Sequence, residues 1–94
     1  MKLHQKGFLL VTLSNVSSMW DDQLIENVCS EYEESSDFIE KTLRIALDEL
    51  SAAGLINRIE SKLETVNSKT QLLFNYKLSD FGKSRMVDTG LLIT

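Results

Sequence analysis

The sequence predicts an α+β fold, helices followed by a β-hairpin and a last helix, on three observations. In residues 37–55, DFIEKTLRIALDELSAAGL, the apolar Ile39, Leu43, Ala46, Leu47 and Leu50 recur at helical spacing. Directly after Gly54 the apolar period shortens from 3.6 residues to 2. The alternation then occupies two segments parted by Asn67, Ser68 and Lys69, the pattern of a hairpin.

The elements follow in order. Residues 1–7 form a polar leader, and Phe8 to Val16 (FLLVTLSNV) is apolar enough for a buried strand or a buried helix. Its length and the helical segments after it favour a first helix across the core. Ser17 and Ser18 end it, and Met19-Trp20 fits a very short strand. Asp21 can cap a helix over 22–33 that buries Leu24, Ile25, Val28, Cys29 and Tyr32. Ser35 and Ser36 make a short connection to helix 37–53, where Asp37 and Glu40 have capping-box spacing. With Gly54 as the left-handed residue, Leu50 and Leu55 take the two apolar positions of a Schellman stop. Two helices joined by so short a turn read as a helix-turn-helix.

Beyond Gly54, Ile59, Ser61, Leu63 and Thr65 alternate with Arg58, Glu60, Lys62 and Glu64, a half-exposed strand over 57–65. Leu72, Phe74, Tyr76 and Leu78 alternate with Leu73, Asn75 and Lys77 in the return strand, giving a hairpin with one wet face. Ser79 caps a last helix that offers Phe81, Met86 and Val87 for packing, and Gly90 repeats the stop signal.

Composition narrows the function. The 94 residues, 43% apolar and 26% charged, suit one globular domain spanning 1–94. One cysteine (Cys29) and one histidine (His4) make neither an intramolecular disulfide nor a zinc site. The longest apolar run is too short to span a membrane, so the expected compartment is the cytoplasm. No glycine-rich phosphate loop or nucleophile–base pattern occurs, and Cys29 falls on the apolar face of its helix. Trp20 reads as a core residue in preference to a stacking platform. The expectation is a non-enzymatic protein with no cofactor and no metal.

The order helix, short strand, helix, helix, hairpin, helix is that of a winged helix-turn-helix, a three-helix core with a β-hairpin wing and a short C-terminal helix. The stretches LDELSAAGLINRIES and YKLSDFGKSRM resemble winged-helix repressors of the MarR and PadR type, through Leu47, Leu50, Gly54, Leu55, Ile56, Arg58, Tyr76, Leu78, Ser79 and Gly82. Ser79 stands where those repressors usually have threonine. The resemblance covers roughly residues 20–85 and rests on packing and capping positions, which speak to fold more than to function. It implies that helix 37–53 enters the DNA major groove and that the hairpin lies on the backbone. The extra helix of the repressors' dimer interface has no counterpart here.

The charges point elsewhere. Asp21, Asp22, Glu26, Glu31, Glu33, Glu34, Asp37 and Glu40 place a charge of −8 in residues 21–40, which hold no Lys or Arg. The rest of the chain balances at +4, for a net charge of −4. These acids fall on the elements that would cross the DNA backbone, where each cationic contact adds to affinity and each anion opposes it. Asp21, Asp22, Asp37 and Glu40 suit helix N-termini, whereas Glu31, Glu33 and Glu34 lie at a helix C-terminus, where the dipole disfavours them.

A solvated face is the plain explanation of such a run. A functional one is an acidic surface that imitates a row of phosphates and binds a partner protein's basic, nucleic-acid-binding site. Small phage and mobile-element inhibitors, anti-CRISPR proteins among them, are similar in size and acidity. The competing expectation is a regulator, monomeric or homodimeric through the first helix and the C-terminus, that binds duplex DNA through Lys41, Arg44, Arg58, Lys62, Lys69 and Lys77. Arg44 has Glu40 and Asp48 at i−4 and i+4, so an intrahelical ion pair competes with contact to a guanine edge. A third expectation is a docking subunit of a larger assembly.

Overall fold

The computed structural model describes residues 5–33 and 37–90. Within them the order is α1 (Gln5–Ser14), β1 (Met19–Trp20), α2 (Asp21–Tyr32), α3 (Asp37–Ala52), β2 (Ile56–Val66), β3 (Lys69–Leu78) and α4 (Asp80–Asp88). The α+β expectation holds, with a three-stranded antiparallel sheet ordered β1-β3-β2. The ambiguous apolar segment is helix, and it starts early: residues 5–7 of the expected leader form its first turn. His4 lies outside the described residues. Among the described residues no helix is long and apolar enough to cross a membrane.

The helical faces converge as their periodicity requires. Leu9, Leu10 and Leu13 of α1, Leu24, Ile25 and Val28 of α2, and Leu43, Ala46, Leu47 and Leu50 of α3 form one buried cluster with Ile56, Tyr76 and Met86. Each fully buried Leu, Ile or Met contributes roughly 1.5–3 kcal/mol. Phe8 and Tyr32 meet edge to face at 5.7 Å and close the open end of the α1–α2 pair. Cys29 is a half-buried free thiol packed against this cluster.

Gly54 ends α3 with φ +80°. The Leu55 N–H donates to the Leu50 carbonyl and the Gly54 N–H to the Ser51 carbonyl, both at 3.0 Å, the two bonds of a Schellman stop. Ser79 caps α4: its Oγ accepts from the Gly82 N–H at 2.8 Å, and its hydroxyl hydrogen serves the carbonyls of Gly54 (2.6 Å) and Leu55 (2.9 Å). The Ser79 N–H also donates to the Leu55 carbonyl at 3.1 Å. Gly82 sits so close to this junction that a Cβ there would lie 2.0 Å from the Leu55 oxygen.

Several expectations need correction. Asp21 does not cap α2. It is the first helical residue, and Trp20 occupies the N-cap with no side-chain hydrogen bond. Asp37 is likewise the first residue of α3, and Glu40 turns along the helix to Arg44, away from the capping-box direction. Phe81 is exposed, so Met86 is the residue of α4 that fills the core.

The hairpin does not keep one dry face along its length. Arg58 pairs with Tyr76 but Glu60 pairs with Asn75, so Ile59 is an extra residue that kinks β2. Beyond this bulge β2 is largely exposed, and β3 stays buried only as far as Leu73, opposite Lys62. Leu63 is 71% and Leu72 50% exposed, directly opposite each other. Asn67 and Ser68, at φ 53° and 66°, form a two-residue turn of type I′, and Lys69 belongs to β3.

Candidate functional site

The side chains singled out by charge sort into two ion-pair nodes and one exposed acidic flank. At the first node Arg44, on the fourth-residue spacing from Glu40, donates to Glu40 Oε1 from Nη2 at 3.1 Å. Its Nη1 reaches across to α2 and meets Asp21 Oδ2 at 2.8 Å. Asp21 is 2% exposed, so α2 begins with a carboxylate sealed against α3. A carboxylate is tolerable there because Arg44 supplies both charge and hydrogen bond. Its second oxygen, Oδ1, is buried and accepts from no donor among the described residues.

The second node is Arg58, one residue before the bulge. Its Nη2 donates to Asp48 Oδ1 at 2.8 Å and to the Tyr76 hydroxyl at 2.9 Å, and the guanidinium lies 3.7 Å over the Phe74 ring. The hydrogen bond to Tyr76 holds the Arg58 guanidinium above its ordinary value, against the lowering effect of burial. Burial pushes the Tyr76 phenol up, opposed by Arg58. Between the two nodes lies a cavity of about 120 Å³ lined by Asp21, Arg44, Leu47, Asp48, Leu72, Phe74 and Tyr76.

These contacts redistribute the expected residues. Arg44 and Arg58, the two arginines proposed to meet DNA, are each committed to internal partners. Lys62 lies 4.3 Å over the Trp20 ring and 3.5 Å from Glu64, so Trp20 is a half-buried platform for a cation and not a core residue. Lys41, Lys69 and Lys77 remain exposed without an ion pair among the described residues.

The acidic run is not one surface. Asp21 is buried, Glu40 is held by Arg44, and Glu34 lies outside the described residues. Asp22 and Glu26 stand one turn apart on one flank of α2, about 6 Å apart along the axis, and exposed Glu33 follows as the helix's C-cap. Glu31 is exposed on the opposite flank, and exposed Asp37 opens α3. Glu33 closes α2 in a left-handed conformation (φ 54°), its N–H donating to the Cys29 carbonyl. The outward side of α3 presents Phe38 and Ile45, both largely exposed, beside Lys41.

Sequence reasoning missed Asp21, Asp48, Phe74 and Tyr76 as the partners of the two arginines. Helical spacing revealed the Glu40–Arg44 pair. The Asp21–Arg44 and Arg58–Tyr76 contacts span 23 and 18 residues and leave no periodic trace. Among the described residues no group of three or more His, Cys, Asp and Glu could hold a metal ion. Comparison with protein-family models, with curated proteins and with solved structures finds no match.

Proposed function

We propose that this chain is a small winged-helix regulator that acts by binding and without catalysis, and that its target is a protein with a basic, nucleic-acid-binding surface. In this reading α2 and α3 are the helix pair and β2–β3 the wing. One observation carries it: both arginines that a DNA reader would use are consumed in internal ion pairs, while Asp22, Glu26, Glu33 and Asp37 face solvent. Breaking either node to free an arginine for phosphate would strand a carboxylate, a buried one in the case of Asp21. The exposed flank of α2 instead offers one carboxylate pair, Asp22 and Glu26, about 6 Å apart along the axis, followed by exposed Glu33 and Asp37, an acidic surface of the kind a DNA-mimicking inhibitor of phage or mobile-element type, such as an anti-CRISPR protein, would present.

The DNA-binding alternative retains Lys41 on α3 and Lys69 and Lys77 on β3 as exposed cations. One experiment separates the two. The tagged protein is used to capture partners from nuclease-treated lysate, and the bound fraction is then challenged with duplex DNA. The protein-directed reading expects a captured protein that duplex DNA displaces and that the Asp22→Lys, Glu26→Lys, Glu33→Lys triple variant does not hold. If the protein itself shifts duplex DNA at low salt and micromolar concentration, and Lys41→Ala with Lys77→Ala abolishes the shift, the DNA reading replaces it.

A further inference from the structure

β2 is an outer strand of the sheet, and beyond its bulge it stays paired without a further register shift, with exposed residues on both faces between Glu60 and Thr65. The turn fixes which backbone groups face outward. Val66 and Lys69 flank a two-residue turn and so form a hydrogen-bonded pair, and pairs alternate from there. Thr65↔Thr70, Leu63↔Leu72 and Ser61↔Phe74 are therefore the non-hydrogen-bonded pairs. The 3.3 Å approach of the Thr65 and Thr70 hydroxyl oxygens fits the closer spacing of such a pair. Ser61, Leu63 and Thr65 consequently aim their N–H and C=O groups at the open edge.

Side chains along this edge are self-complementary. One face carries Glu60, Lys62 and Glu64, alternating in sign, and the other carries Ser61, Leu63 and Thr65. Two antiparallel copies with Leu63 on the two-fold axis place Lys62 opposite Glu64 of the other copy, twice. Ser61 then meets Thr65, and Leu63 meets Leu63 with both Leu72 side chains beside it. All three outward-facing residues find backbone partners in this register. Shifting the axis by one residue to Lys62 sets Lys62 against Lys62, so charge penalises that neighbour. An edge protected against pairing carries charges that repel their own kind or a kink within the exposed run. Here the charges attract and the kink lies before the run.

We propose that two copies of this chain associate through the β2 edge, antiparallel about Leu63, into one continuous six-stranded sheet. The isologous contact is backbone pairing reinforced by two Lys62–Glu64 pairs on one face and a patch of four leucines on the other. The inference stands independently of what the acidic flank binds.

Sedimentation velocity over a concentration series tests it, on the full chain. Wild type is expected to pass from monomer to dimer as concentration rises. Lys62→Glu sets like charges opposite each other and should remain monomeric. Lys62→Glu with Glu64→Lys restores complementarity between copies and should recover the dimer, although it also lacks the cation over Trp20. Wild type that stays monomeric throughout, or a double variant as monomeric as the single, overturns the proposal.

Register is read by oxidation in a Cys29→Ser background. Leu63→Cys should form a disulfide-linked dimer, because hydrogen-bonded antiparallel partners have Cα atoms about 5.5 Å apart, within disulfide reach. Ser61→Cys should not; cross-linking at Ser61→Cys in place of Leu63→Cys overturns the pairing about Leu63.

Discussion

The two ends of the β2–β3 hairpin are built from similar residues and have opposite fates. At the base, Leu73, Asn75 and Tyr76 are buried, and Arg58 is fastened by Asp48, Tyr76 and Phe74. At the tip, Leu63 and Leu72 face each other in solvent, and the Thr65 and Thr70 hydroxyls meet one pair before the turn-flanking Val66 and Lys69. The change comes between Leu73, which pairs with Lys62, and Leu72, which pairs with Leu63, a few residues past the bulge at Ile59. Folding therefore draws mainly on the residues from Leu73 down to the base. The apolar residues of the tip are surplus to the core and thus free for a partner.

Four variants test that contrast. The largest effect belongs to Gly82→Ala, whose Cβ would overlap the Leu55 carbonyl at the neck of the hairpin. Backbone cannot yield as a side chain does, so the loss in urea denaturation should exceed the usual overpacking range of about 1–3 kcal/mol. A fully folded variant of unchanged midpoint would show that the neck is looser than described.

Arg44→Ala comes next, since it leaves Asp21 buried without its cation. The cost should be about 2–3 kcal/mol, below the roughly 3–5 kcal/mol of a fully sealed pair because Arg44 is partly exposed. Adding Asp21→Asn should return part of the loss; no recovery would mean that packing, and not charge, is what Arg44 contributes.

Tyr76 gives a pH signature. Burial raises its phenol above the unfolded value of about 10, so the folded state holds the proton more tightly. The resulting stability is complete below that value and is lost as pH rises from it through the raised value of the folded state. Thermal melts should therefore fall on the alkaline side. Tyr76→Phe should flatten that limb while losing about 1 kcal/mol at neutral pH with the Arg58 hydrogen bond.

The smallest effect is expected at the tip. Leu63→Ser should change the stability of the monomer by no more than about 0.5 kcal/mol, the range of a surface substitution. A larger loss in dilute protein would place Leu63 in the folding core after all.

Much of this architecture is legible in local pattern. The Schellman stop at Gly54, the Ser79 cap and the buried faces of α2 and α3 each depend on residues within a turn or two of one another. So does the Glu40–Arg44 pair. What pattern could not supply is contact at a distance. Asp21 looks like one exposed acid among eight until α3 brings Arg44 against it. Alternation placed both hairpin strands, but it continues unbroken through Ile59, so the bulge and the loss of the dry face are invisible in it. The acidic surface was overcounted for the same reason: charge in a sequence has no direction until helices give it flanks.

The junction at Ser79 has a consequence for how this chain can vary. By bonding Gly54 and Leu55, Ser79 pins together two points 24–25 residues apart, and everything between them is an excursion that leaves and returns at one place. Its closure is already accomplished at the neck, so further residues at Asn67-Ser68 add only a slowly growing entropic cost. The hairpin is in this sense an exchangeable handle. Its tip can lengthen or shorten while the helices, and the base residues Ile56 and Tyr76 packed among them, keep their places.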